Sequence, residues 1–179
     1  EKLKEAMLDY FFDKNTRRFL RMVNFAGNDL IEDFTIDSSL YAIFEFGVLD
    51  ANDPRVEETM KAVKEKLWVK TNIGGLARYE NDHYHKVSED IKKVPGNSWF
   101  ICTAWLGKYY TAKAKTKEEL KEALEIIKWL MKNSLSTGIM PEQINPYTAE
   151  PLSVSPLTWS HSEFVDLVVN YVEKYKKLK

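Results

Sequence analysis

Three segments of this chain are apolar nearly all round: SSLYAIFEFGVL from Ser38, NSWFICTAWLGKYY from Asn97 and WSHSEFVDLVVNYV from Trp159. A helix with so little charge on any face has to be covered on most sides. These segments alternate with three others whose apolar residues recur at helical spacing against a charged opposite face. The first carries Leu3, Ala6, Met7, Tyr10 and Phe11, the second Val56, Met60, Val63 and Leu67, the third Leu120, Ala123, Leu124, Ile127, Leu130 and Met131. The order charged, buried, charged, buried, charged, buried predicts an all-α protein of about six helices in an outer and an inner layer.

Helix start signals agree. Asp53 followed by Pro54 reads as N-cap and first helical residue, and Thr116 with Glu119 reads as a capping box. Up-down packing of six such helices places every outer-to-inner connection at one end. Those connections, Asp13 to Asp37, Trp68 to Gly96 and Asn133 to Thr158, are long, while the inner-to-outer links, Asp50 to Asp53 and Ala112 to Thr116, are short. Long loops without periodicity are uncommon in compact domains and are more often functional than not, so chemistry is expected on the rim they share. FLRMV, from Phe19 to Val23, is expected to form a short strand in the first of them.

Composition narrows the classes. With 44% hydrophobic and 30% charged residues, 179 residues suffice for one core, so a single unit over 1–179 is expected. Lys and Arg number 26 against 27 Asp and Glu, and the absence of long like-charge blocks points away from nucleic acid and anionic membranes. The lone Cys102 cannot form an internal disulfide, which fits a reducing, cytoplasmic compartment. His83, His85 and His161 are the only imidazoles, without zinc-type spacing to the cysteine, so no metal site is expected. No Gly-rich phosphate loop or nucleophile beside a base stands out, so no cofactor is expected either.

Two loops carry the candidate chemistry. GGLARYENDHYH, from Gly74 to His85, runs on toward PGNSWF. Arg78 offers five donors in a rigid fork, and Tyr79, Tyr84 and Trp99 offer flat faces, a mixture suited to a polyhydroxylated ligand. The same residues allow a purely structural reading, with Arg78 paired to Glu80 or Asp82 and Trp99 in the core. In GIMPEQINPYTAEPLSVSPLTWSH, from Gly138, Pro141 and Pro151 fix φ on either side of Glu142, and NPYT reads as a turn. A stiffly held carboxylate suits a general base, with Gln143 to orient it and Ser153 or Ser155 to donate to its ionised form. A solvated loop glutamate is the alternative. His161, on a largely apolar helix, reads as a satisfied core histidine before a site residue.

Taken in order, IDSSLYAIFEFGVLDANDPRVEETMKAVKEKL, GGLARYENDHYHKV, GNSWFICTAWLGKYY and GIMPEQINPYTAEPLSVSPLTWSH resemble the family 15 glycoside hydrolases, the glucoamylases with some glucodextranases and trehalases. The resemblance implies an (α/α)6 barrel with its active site in the loops leading into the inner helices. It implies that Glu142 is the general base activating water for inversion, that Arg78 binds sugar at the cleavage site, that Trp99 and Trp159 line sugar subsites, and that Ser153 hydrogen-bonds the base. Tyr79 joins Arg78 as a substrate-binding candidate. Ser98 stands where many members have proline.

The family's general acid, a glutamate, lies upstream of anything matched here. The resemblance therefore implies half of an (α/α)6 barrel, the C-terminal portion of a catalytic domain, inactive alone. Its partners are then an α-glucan or oligosaccharide substrate, the missing N-terminal half of the barrel and a second copy covering exposed inner-helix surface, with no nucleic acid and no membrane among them. Trehalase or glucodextranase activity, or a non-catalytic carbohydrate-binding scaffold, are the alternatives.

Overall fold

The computed structural model describes residues 2–178; Glu1 and Lys179, the ends of the expected unit, lie outside the described residues. The centre of the fold is the second apolar segment. It forms helix α4, Phe100–Lys113, after three earlier helices: α1, Lys2–Tyr10, α2, Ala42–Glu45, and α3, Pro54–Leu67. Every α4 residue from Phe100 to Thr111 is buried. Two further helices, α5, Leu120–Asn133, and α6, Thr158–Lys177, pack against it. Gly107 makes this close approach feasible: a Cβ there would stand 2.8 Å from Ile126 of α5 and 2.8 Å from Leu167 of α6.

Helix α3 forms as its pattern predicts. Pro54 opens it, the Asp53 carboxylate accepts from the Arg55 N–H at 2.9 Å, and Val56, Met60, Val63 and Leu67 are all buried. At α5 the Thr116 hydroxyl accepts from the Glu119 N–H, while the Glu119 carboxylate reaches the N–H of Lys115, one residue short of a reciprocal capping box. Its buried stripe is Leu120, Ala123, Ile126, Ile127 and Leu130, whereas Met131 faces out.

The six expected helices form, and seven short strands in three small antiparallel sheets accompany them among the described residues. Three expectations need correction. The first apolar segment is not a long inner helix but a 3-10 turn, Ser38–Tyr41, followed by the single turn of α2. Gly47, at φ 72°, lies just beyond it, and the N–H groups of Val48 and Leu49 both return to the Ile43 carbonyl. Helix α1 buries no residue and its Leu3 is 84% exposed; Leu8, with Phe11 just beyond the helix, packs on the core. Helix α6 buries only Ser160 and Leu167, leaving Val165, Val169 and Val172 exposed. No described helix is long and apolar enough to cross a membrane.

The long connections converge on one rim. The first folds into two hairpins, β1 (Phe12–Asp13) with β2 (Arg18–Phe19), and β3 (Met22–Ala26) with β4 (Asp29–Asp33). The expected Phe19–Val23 strand is thus split, its ends entering different hairpins around Leu20 and Arg21. The second and third loops share a sheet: β5 (Ser98–Trp99) pairs with β6 (Gln143–Ile144), which pairs with β7 (Pro151–Leu152). Bridges from Asp37 to Tyr79 and from Leu76 to Trp99 tie the first loop to the second and the second to β5. Backbone hydrogen bonds therefore hold three sequence-distant loops in register, which is what a rim needs in order to position side chains.

Candidate active site

Five of the six residues singled out from the sequence, Arg78, Tyr79, Trp99, Glu142 and Trp159, line one cleft of about 520 Å³. The sixth, Ser153, is one hydrogen bond away, its hydroxyl 3.1 Å from that of Tyr84, which also lines the cleft. A space of this size holds a monosaccharide-sized ligand with room for water.

The Glu142 backbone is pinned at both ends. Its N–H donates to the Val154 carbonyl at 2.9 Å, and its own carbonyl accepts the first N–H of α4, from Phe100, at 3.1 Å. The carboxylate thus rides on the junction between the third loop and the most buried helix. Beside it Gln143 is fully buried; its Oε1 accepts from the Asn97 amide at 2.8 Å and its Nε2 stands 3.5 Å from Glu142 Oε2. That last contact is at the outer limit of a hydrogen bond, so Gln143 guides the carboxylate while spending its stronger bond on Asn97. Asn97 in turn donates to the His85 carbonyl at 2.8 Å, linking the second and third loops. The turn at NPYT forms as read, with Asn145 Oδ1 accepting from the N–H groups of Tyr147 and Thr148.

Ser153 does not supply the hydrogen bond to Glu142 that the resemblance implies. It sits at φ 60°, in the left-handed region, and its hydroxyl meets Tyr84 instead. Ser98, in place of proline, donates to the Gly74 carbonyl at 2.6 Å and so ties the start of β5 to the second loop. His161 accepts from the Met140 N–H at 3.1 Å, a structural role in line with the plainer of its two readings.

Arg78 is held by two parallel bonds to Asp82, at 2.9 and 2.8 Å, and Asp82 is 1% exposed. The guanidinium carbon lies 4.5 Å from the centroid of the Trp99 ring, 4.9 Å from Tyr79 and 5.4 Å from Tyr84. Burial works against its charge, yet the Asp82 carboxylate more than offsets this and holds Arg78 above its ordinary value. The structural reading of Arg78, pairing with Asp82, is therefore realised together with the cleft position. Fork-shaped pairing leaves one edge of the guanidinium for other acceptors.

The remaining walls were not singled out from the sequence. Trp105 of α4 stacks on Tyr41 at 4.2 Å and 7° and meets Trp159 edge-on at 5.7 Å, so an aromatic row closes one side. Cys102 also lines the cleft, and burial pushes its thiol up, out of nucleophilic range. An all-round apolar helix gives no sign of which of its residues face a cavity, which is why Trp105 and Cys102 escape notice. The indole N–H groups of Trp99 and Trp105 are buried without a hydrogen-bond partner. The second carboxylate of the cleft, Asp37, accepts from the Ser39 N–H at 2.9 Å and lies 3.5 Å from Arg21. It caps a turn and pairs with a cation.

Comparison with known proteins gives this geometry a family. The chain is 30% identical over 175 residues to a glycosyl hydrolase of Methanocaldococcus jannaschii, covering 92% of this chain and 26% of that protein. It is 29% identical over 143 residues to a glucoamylase of a Clostridium strain, covering 77% of this chain and 20% of the relative. The chain thus spans about a quarter of the length of these curated relatives. Its fold matches that of a bacterial glucoamylase complexed with acarbose, with a TM-score of 0.77 at 24% identity over 98% of this chain and 30% of that one. It also matches Hormoconis resinae glucoamylase, with a TM-score of 0.66 at 16% identity over 94% of this chain and 36% of that one. The sequence profile of glycosyl hydrolases family 15 matches residues 16–169, and the chain belongs to that family.

Proposed function

We propose that this chain carries the general-base side of an inverting, exo-acting α-glucosidase of the glucoamylase type. One observation carries the reading: the Glu142 carboxylate shares a single cleft with Arg78, Trp99 and Trp159 although these residues come from different loops and helices. In the proposed reaction Glu142 takes a proton from water as the water oxygen bonds the anomeric carbon from the face opposite the leaving oxygen. Arg78 fixes sugar hydroxyls with the guanidinium edge that Asp82 leaves free, and the indoles cover the ring.

An inverting glycosidase needs a second carboxyl group, as the acid, roughly 6.5–9.5 Å from the base. The carboxylate of Asp37 is committed to the Ser39 N–H and to Arg21. We assign the acid to a part of the protein outside this chain, and the chain itself to the C-terminal half of an (α/α)6 barrel, without activity alone. The uncovered valines of α6 support that assignment, as does the fraction of the relatives' length spanned. The substrate is then a non-reducing end of an α-glucan or oligosaccharide, and the likeness to a Clostridium glucoamylase favours this over trehalose.

The test is the anomer released. NMR of the full-length protein acting on maltotriose is expected to show β-glucose first. Initial release of α-glucose refutes inversion, and faster turnover of trehalose than of maltotriose moves the substrate assignment.

A further inference from the structure

Lys108 of α4 is 6% exposed, and its ammonium contacts three carboxylates: Glu45 at 2.6 Å, Glu163 at 3.1 Å and Asp166 at 2.6 Å. Burial opposes its charge, but the bonds to Asp166 and Glu45 and the charge of Glu163 hold the lysine above its ordinary value, so it stays protonated. Three carboxylates on one ammonium exceed what charge neutrality asks. A buried ionic cluster of this kind is weak grounds for stability and is better explained by what it orients.

Glu163 shows what is oriented. Its Oε2 binds Lys108, and its Oε1 accepts the indole N–H of Trp159 at 3.1 Å, four residues earlier on α6. Trp159 is half exposed on the cleft wall and leans edge-on against Trp105. Without a fixed partner for its N–H, an indole so exposed is free to change rotamer and leave that wall. The cluster reaches it from the buried helix through a single carboxylate.

We propose that Lys108 is a positioning residue for the cleft: by holding Glu163 it fixes the Trp159 indole against Trp105 in the orientation that receives a sugar ring. The indole's orientation is set by this network together with its contact on Trp105. What the indole meets rests on the glucosidase reading above.

The experiment uses the full-length protein that carries this chain, labelled with fluorotryptophan. Fluorine NMR, with Trp159 assigned through Trp159→Phe, is combined with maltotriose kinetics. An amide has one acceptor oxygen, so Glu163→Gln cannot serve both Lys108 and the indole. It is expected to shift and broaden the Trp159 resonance and leave that of Trp129 in place. KM should rise about three- to tenfold, the equivalent of one lost orienting contact, with kcat changed less than about twofold. Lys108→Met is expected to do the same although Lys108 does not touch the indole, and Lys108→Arg to restore the wild-type signal. If Lys108→Met fails to fold, Glu163→Gln, which keeps the ammonium paired with Glu45 and Asp166, decides. A Trp159 resonance unchanged in Glu163→Gln overturns the proposal, as does a displaced resonance with KM unchanged. If the wild-type protein leaves maltotriose intact while the resonance still moves in both variants, the network is upheld and the glucosidase reading falls.

Discussion

From Phe100 to Thr111 every residue of α4 is buried, whereas of the 20 residues of α6 only Ser160 and Leu167 are. Both segments read as apolar nearly all round in the sequence, and both touch the cleft, α4 through Ile101, Cys102 and Trp105 and α6 through Trp159. The difference lies in cover. Helix α4 is wrapped by α5, α6 and the 3-10 turn, while the outer valines of α6 stay exposed. An apolar surface states that a helix needs a neighbour, and which neighbour is a property of the assembly.

Substitutions on the two helices should therefore separate widely. Phe100→Ala, at a fully buried position of α4 beside Trp129, is expected to cost about 3–5 kcal/mol in urea unfolding. A loss below about 1 kcal/mol would mean that α4 is less tightly covered than its burial indicates. Gly107→Ala should cost less: overpacking against Ile126 and Leu167 costs about 1–3 kcal/mol, of which the better helix propensity of alanine returns up to about 1. Stabilisation by this variant would show that α5 and α6 can move away from α4.

The cover over α4 includes one charge in an unfavourable setting. The Lys64 ammonium lies 3.1 Å from the centroid of the Trp68 ring, in a groove it shares with Tyr109 and Tyr110 of α4, and burial lowers its pKa to about 8. A lysine whose folded value is below its unfolded value of about 10.4 destabilises the fold wherever both states are protonated. That cost is fully present below pH 8 and is relieved as pH rises toward 10. Above pH 10 tyrosines of the unfolded chain ionise, while burial pushes Tyr110 up to about 12, and stability falls again. Denaturation midpoints should accordingly rise between pH 8 and 10 and flatten in that window in Lys64→Met. A midpoint that falls there contradicts the burial of this lysine.

On α6 the smallest effect is expected. Val169→Ser should change the stability of the isolated chain by no more than about 0.5 kcal/mol, since the side chain is exposed. Its effect should appear in association: sedimentation of the isolated chain is expected to show less self-association than wild type. Equal sedimentation would mean that the valine face is not what brings copies together.

The parts legible in the sequence are those fixed by local rules. Asp53 and Pro54 announce α3, the periodicity of Leu120 to Leu130 announces α5, and the Asn145 turn follows from NPYT. The common rim follows from the order and length of the loops. What escaped depends on tertiary partners: whether α6 is covered, whether residues 38–49 make a long helix or two short turns, and which α4 residues face the cleft. Ser153 is instructive, because the resemblance pairs it with Glu142, while its left-handed backbone presents it to Tyr84. The small sheet joining Trp99 to Gln143 was not visible either, since two-residue strands carry no periodicity.

The account turns on the Glu142 carboxylate as the group that deprotonates water, and Glu142→Gln in the full-length protein tests it most directly. An amide of the same shape preserves the packing at the start of α4 but cannot take a proton. The rate on maltotriose is predicted to fall by about 10²–10⁴-fold with maltotriose binding retained. A variant that still releases glucose within about tenfold of the wild-type rate would contradict the role of Glu142.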